Sequence, residues 1–227
     1  IENARPDVIT ICATHLKSRD LFLIAQNLVS IASLPHDQPP IKVIFAPSDA
    51  ALVYARSPVS QMERHDLSQN KEVSETVLIA ASTARRVQNP LSELTRLCTP
   101  DKNYLVNLPL HRFQGNFLNE STETGIIYEA CELACIKAVA ISGVDFSKLY
   151  SVNHRGPLQF LPGFGPYFAK FFLDQITSTT DKDSARSRSL LKLYMEDYPH
   201  ISNNAISFLR FPAQIKKSKK DDDQSRS

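Results

Sequence analysis

Apolar positions along this chain alternate between strand-like runs and helical stripes. Val8-Ile9-Thr10-Ile11-Cys12 is a β-branched run after Pro6, which predicts a buried strand. Ser18 is placed to cap a following helix, where Leu21, Ile24, Ala25, Leu28, Val29 and Ala32 recur at helical spacing. Pro35 and the Pro39-Pro40 pair end that helix. Ile41 to Phe45 reads as a second strand, and Pro47-Ser48-Asp49 opens a helix through Ala51, Leu52 and Tyr54. Strand, helix, strand, helix in this order predicts parallel strands with a right-handed crossover.

From about Lys71 the pattern turns helical. Val73, Val77, Ala80, Ala81, Ala84 and Val87 make one apolar face, and Pro90 closes it. Tyr104-Leu105-Val106 is the expected last strand of this part. Residues 108–124 hold Pro109, Gly115 and many polar side chains, which predicts a loop. Ile126 to Ile141 is apolar on most sides, which predicts a buried helix, and Gly143 is placed to end it in the left-handed conformation. A helix or turn over Gly156 to Phe160, a glycine turn at 161–166 and a helix from Tyr167 to Ile176 follow. Thr177 to Ser187 is polar and reads as a flexible connection. Leu190, Leu191, Tyr194 and Met195 outline a short helix interrupted by Pro199. Ile201 to Phe211 reads as helix or strand, and a worn second hairpin is centred near Tyr198. From Lys216 nothing is apolar enough to bury, so a disordered tail is expected over 212–227.

Composition adds limits rather than answers. With 227 residues, 42% hydrophobic and 22% charged, the chain can build one large or two small cores. A net charge of only +2 means that nucleic-acid contact would come from a local site rather than a general field. No apolar run reaches the roughly 18 residues of a membrane span, and no membrane partner is expected. A start at Ile1, without a signal-peptide pattern, suggests a fragment. Cys12, Cys98, Cys131 and Cys135 form no C-x-x-C pair. Buried free thiols in a reducing compartment are expected, not a four-ligand zinc site.

The candidate chemistry lies in Leu161-Pro162-Gly163-Phe164-Gly165-Pro166. Two glycines in a turn between helices permit positive φ and let a phosphate approach the backbone. The unpaired N–H groups at the start of the second helix, with its dipole, make an anion site. Pro166 suits the first helical position, where its missing N–H costs nothing. The candidate nucleic-acid contacts are therefore Gly163, Phe164, Gly165, Tyr167, Phe168 and Lys170, with Ala169 allowing close helix approach. This is the helix-hairpin-helix pattern. It would hold a DNA or RNA backbone weakly and with strong salt dependence, fixing position without reading sequence. The same Gly-Phe-Gly-Pro is also compatible with a plain structural corner.

Catalytic residues are not expected. An RNase H-like nuclease needs clustered carboxylates for two metal ions. Val8 to Cys12 offers none, Asp7 and Asp20 are isolated, and Asp49 reads as a helix-opening charge. The six histidines, His15, His36, His65, His111, His154 and His200, read as surface or loop residues. Arg85-Arg86 reads as a solvated helix face or a phosphate contact. Lys216-Lys217-Ser218-Lys219-Lys220 reads equally as a nuclear address, a polyanion contact or a solvated end, and Asp221 to Asp223 weaken the first two. No metal or cofactor is expected.

Four stretches together resemble one family. They are Arg5 to Ile11 with Arg19-Asp20, Ala84-Arg85-Arg86-Val87-Gln88-Asn89-Pro90-Leu91, Gly143-Val144-Asp145, and Leu158 to Pro166. In order and spacing over about residues 5–211, the chain resembles the central part of the suppressor-of-Ty-six family. These are eukaryotic elongation factors and histone chaperones, and bacterial Tex is a relative. The resemblance implies an α/β plus all-α layout. Residues 1–107 would be a partial RNase H-like (YqgF-type) domain without catalytic acids, 108–124 a connection, and 125–211 a helix-hairpin-helix domain. The family's first RNase H-like strands and its S1 and SH2 modules would lie outside this chain. Asp197-Tyr198-Pro199-His200 departs from the family by lacking the second hairpin's glycine. The resemblance further implies a non-enzymatic, nuclear role in contact with nucleic acid, RNA polymerase II and histones. A purely protein-interacting scaffold and an RNase H-like nuclease are the alternatives.

Overall fold

The computed structural model describes residues 6–32, 39–67, 73–99, 104–110, 121–178 and 195–211. The helix end at Pro35, the helix start at Lys71, the centre of the 108–124 loop, most of the 177–187 connection, Leu190, Leu191, Tyr194 and the tail lie outside them.

The β-branched run forms strand β1 (Val8–Cys12), which pairs in parallel with β2 (Lys42–Ala46) in the register Val8↔Lys42 to Cys12↔Ala46. Helix α1 (Ser18–Ile31) connects them. Lys17, already helical, occupies the cap position without a side-chain hydrogen bond, so Ser18 is the first helical residue and not the cap. The expected stripe is also rotated. Phe22 stacks on Phe45 with ring centroids 4.5 Å apart, and Phe22, Ala25 and Val29 are half-buried. Leu21, Ile24 and Leu28 remain 55, 55 and 53% exposed. Two strands are too narrow a platform to cover an apolar arc of that width.

Four helices follow in a compact group: α2 (Asp49–Ala55), α3 (Pro58–Leu67), α4 (Glu75–Gln88) and α5 (Pro90–Thr95). Sequence reading missed α3 and α5. Asn89 breaks the helical geometry, and its side-chain oxygen accepts from the Ser92 N–H at 3.1 Å. Pro90 then stands at the first turn of α5. The proline that was expected to close α4 therefore opens the next helix.

The buried face of α4 is the reverse of the expected one. Leu78, Ser82 and Thr83 are buried, while Val77, Ala80, Ala84 and Val87 face solvent. The polar side chains point inward because their partners are there. Ser82 donates to Glu93 Oε1 at 2.6 Å. Arg85 donates to Glu93 Oε2 and Glu63 Oε1, both at 2.9 Å. Arg96 donates to Glu63 Oε2 at 3.0 Å and to Glu93 Oε2 at 3.2 Å. The Tyr54 hydroxyl donates to Glu63, and the Arg85 and Arg96 guanidinium carbons stand 5.2 and 5.4 Å from the Tyr54 ring centroid. Arg85, expected on a solvated face or against phosphate, is thus an internal counter-ion. Arg86 donates to the Pro47 carbonyl at 3.2 Å.

The second half of the structure begins with α6 (Ser121–Ser142), which starts earlier than the loop reading implied. It is not the buried helix expected. Cys135 and Val139 enter the core, but Ile126, Leu133 and Ile141 are exposed. Gly143 ends the helix at φ 67°, its N–H bonded to the Val139 carbonyl at 2.8 Å, as expected of a left-handed cap. Strand β3 (Val144–Asp145) then pairs in parallel with β4 (Leu209–Arg210). A 3-10 turn over Gly156–Phe160 leads to α7 (Pro166–Ser178), which continues two residues beyond the expected Ile176. Thr177 belongs to this helix, its hydroxyl bonded to the Leu173 carbonyl at 2.9 Å. Pro199 opens α8 (Pro199–Ala205) rather than interrupting a helix. Tyr104–Asn107 is a 3-10 turn, not a strand. The Tyr104 N–H bonds the Leu97 carbonyl at 2.9 Å, so its apolar residues pack without joining a sheet.

One apolar cluster runs through the molecule. It includes Tyr54, Leu78, Leu97 and Leu105 together with Phe146, Leu158, Phe172 and Leu209.

Glu93, only 2% exposed, serves two arginines. Glu93→Ala should lower unfolding free energy by about 3–5 kcal/mol, because it leaves two buried cations to the single Glu63 carboxylate; urea denaturation measures this. Burial first, and then the hydrogen bond to Glu63, push the Tyr54 phenol from 10.0 to about 12. This raised folded-state value makes its stabilisation complete below pH 10 and lost as pH rises through about 12. Relative to a Tyr54→Phe variant, the unmodified chain should lose stability across that alkaline window in denaturation at stepped pH.

Candidate nucleic-acid interface

Leu161 is buried and ends the 3-10 turn, and the Phe164 N–H returns to its carbonyl at 2.9 Å. Gly163 takes φ 83°, while Gly165 does not enter the left-handed region. The two glycines therefore do different work. A Cβ on Gly163 would lie 3.3 Å from Ile201 Cγ2 of α8, whereas a Cβ on Gly165 would meet nothing within 4 Å. Gly163 is needed by the fold, and Gly165 leaves open space where a ligand can approach. Pro166 is the first residue of α7, as the sequence predicts, and the Ala169 N–H makes the first return bond, to the Gly165 carbonyl at 2.9 Å. The Tyr167 and Phe168 N–H groups precede that bond and are left over by helix geometry.

The candidate side chains divide by direction. Phe164 packs edge-on against Phe168 (4.9 Å) and Phe172 (5.5 Å), and Phe168 against Tyr198 (5.2 Å). Both phenylalanines are half-buried parts of an aromatic cluster that fixes the turn. Tyr167 is 76% exposed, and Lys170, three residues further along α7, is exposed as well. What faces solvent is the Tyr167 ring and the Lys170 ammonium, beside the half-buried Gly165 and the first turn of α7. This set can hold an anion and carries no base-reading group.

The turn itself, Leu161 to Pro166, lines one wall of a cleft of about 220 Å³, and Cys98 with Tyr128, Glu132 and Ile136 of α6 lines the rest. Burial first, and then the Glu132 carboxylate, raise the Tyr128 phenol. The Glu132 carboxylate makes the interior of this cleft unfavourable to an anion. No local signal could have revealed Glu132 or Ile201, since both contacts join distant segments.

Cys98 and Cys135 are buried, Cys12 and Cys131 are half-buried, and all four are free thiols. Cys98 is hydrogen-bonded to Cys135, and this bond, with burial, holds the Cys98 thiol far up. Among the described residues no group of three or more His, Cys, Asp or Glu is arranged to hold a metal ion. No described helix is long and apolar enough to cross a membrane. Asp7, Asp20, His15, His65 and His200 are exposed. His154 departs from the surface reading, because its Nδ1 is buried.

No family model matches the chain. Curated relatives do. It is 29% identical over 204 residues to a Suppressor of Ty 6 homolog of Caenorhabditis elegans, covering 89% of this chain and 12% of that protein. The chain is a distant relative of the Spt6 family. The Drosophila melanogaster transcription elongation factor SPT6 is 22% identical over 92% of this chain and 11% of its own length. The SPT6-like transcription elongation factor of Arabidopsis thaliana is 27% identical over 73% of this chain and 12% of its own length. The chain thus spans about one-eighth of the Spt6 relatives it matches.

Because the glycines differ in surroundings, Gly163→Ala should destabilise by about 1–2 kcal/mol through its left-handed φ, while Gly165→Ala should stay within about 0.5 kcal/mol. Thermal and urea unfolding of the two variants checks this.

Proposed function

We propose that this chain is part of a transcription elongation factor and acts without catalysis, holding a nucleic-acid backbone at the glycine turn. The observation that carries this reading is the open space over Gly165 at the start of a helix bearing exposed Tyr167 and Lys170, in a distant Spt6 relative; the backbone there, with Phe168, would hold the anion. Gly163 and Phe164 support it from beneath. In this reading residues 1–107 are a partial RNase H-like unit, 125–211 a helix-hairpin-helix unit, and the protein works in the nucleus beside RNA polymerase II and histones. Contacts to phosphate would position the chain on DNA or RNA without choosing a sequence.

A second reading, a protein-interaction scaffold, is favoured by the uncovered side chains Leu21, Ile24 and Leu28 on α1 and Ile126, Leu133 and Ile141 on α6. Exposed apolar surface in such stretches is a feature of partner contacts.

Labelled single- and double-stranded DNA and RNA should bind weakly, with affinity falling steeply as salt rises. Gly165→Val with Lys170→Ala should weaken binding to every sequence by about tenfold and reduce the salt slope by about one. This pair of substitutions spares Gly163, so the fold is kept. Equal binding by variant and unmodified chains removes the turn from the mechanism and favours the scaffold.

A further inference from the structure

A second cleft, of about 100 Å³, lies where the Asn89–Ser92 turn faces Gly143, β3 and β4. It shares no lining residue with the cleft beside the glycine turn. Three basic side chains line it: Lys148, His154 and Arg210. Arg210 crosses Gly143, with its Nε 3.6 Å from where a Cβ would stand. Among the described residues, no hydrogen bond or ion pair holds its guanidinium. Lys148 reaches Asp145 only at 3.8 Å. Asp145 already accepts from the Ser147 N–H at 3.0 Å and the Ser147 hydroxyl at 2.6 Å. His154 contributes a buried Nδ1 without a hydrogen-bond partner. A buried polar atom left unpaired is costly in a folded protein.

The two cations outnumber the single carboxylate, so the cleft attracts an anion. Burial first, and then Lys148, lower the basicity of His154; Asp145 opposes this and Arg96 adds to it. Arg85 and Glu93 line a small adjoining cleft that His154 also lines. Burial is the larger cause of the lowered basicity, and an incoming anion would offset the part due to Lys148.

We propose that the cleft between the Asn89 turn and the β3–β4 pair, lined by Lys148, His154 and Arg210, binds a phosphomonoester such as a phosphorylated serine or threonine of a partner peptide. A monoester carries up to two negative charges and three acceptor oxygens. Arg210 and Lys148 supply the cationic partners, and His154 lines the cleft beside them. A diester carries one charge per phosphate and offers only two free acceptor oxygens, where a monoester offers three. This inference is independent of the glycine turn.

The test is a magnetic-resonance titration of the His154 ring in the full chain, with inorganic phosphate and with O-phosphoserine, using serine as control. Both phosphates should shift the His154 signals saturably and raise its titration midpoint; serine should do neither. Lys148→Ala and Arg210→Ala, at exposed positions that preserve the fold, should each weaken binding by about tenfold or more, the loss of one charge-assisted hydrogen bond. The Gly165→Val, Lys170→Ala chain should bind O-phosphoserine unchanged, which separates this site from the proposed backbone grip. Absence of saturation, or a Lys148→Ala, Arg210→Ala double variant that titrates like the unmodified chain, overturns the proposal. Displacement of O-phosphoserine from His154 by an oligonucleotide without terminal phosphate overturns it in favour of a diester site.

Discussion

Two arginines, two glutamates and a tyrosine hold this structure in register. Tyr54 comes from α2, Glu63 from α3, Arg85 from α4 and Glu93 from α5, with Arg96 just beyond it. Each carboxylate receives both guanidinium groups, and the tyrosine ring lies beside the two cations. Such a cluster compensates its own desolvation only when every member is present. Burial works against the charge on Glu63, yet the Tyr54 hydroxyl, Arg96 and Arg85 hold its carboxyl below the usual range. The Glu63 charge is thus supported by its neighbours, and the four helices are fixed by directional bonds as well as by apolar contact.

That arrangement explains which features could be read from the sequence. The strands at Val8 and Lys42, their parallel pairing, the Gly143 cap and the Pro166 helix start follow from local chemistry: β-branched runs, a missing side chain, a missing N–H. The α4 face was misread because apolar periodicity assumes that polar residues face water. Here Ser82 and Arg85 point inward toward acids far along the chain. Helix α3 carries Glu63, whose partners are equally remote, and its sequence has little apolar periodicity to announce it. The α1 stripe failed for a different reason: its periodicity is real, but the two-stranded sheet covers only the Phe22, Ala25 and Val29 side.

At the glycine turn, legibility was divided in the same way. Residue types at Gly163 to Pro166 pointed to a tight turn opening a helix, and the geometry has that form. The sequence could not separate the duties of the two glycines, because Ile201 approaches only one of them. Nor could it show that Phe164 and Phe168 turn inward to pack with Phe172 and Tyr198, leaving backbone and Lys170 outward. Rigidity beneath and polarity above suit a surface that must meet a ligand without rearranging.

Gln159 gives the turn a longer reach. Its Nε2 donates to the carbonyls of Thr95 and Cys98 at 3.2 and 3.0 Å, and Gly156 sits so close to Thr95 that a Cβ there would stand 2.6 Å from its hydroxyl oxygen. The glycine turn is therefore anchored to the chain end of α5, one residue before Arg96. Opening the ion cluster would free the peptide groups on which Gln159 rests, and the turn would lose its footing. Slow amide exchange near Arg96 and near Phe160 should consequently share one opening event, so that the two regions behave as a single cooperative unit despite being some sixty residues apart in the chain.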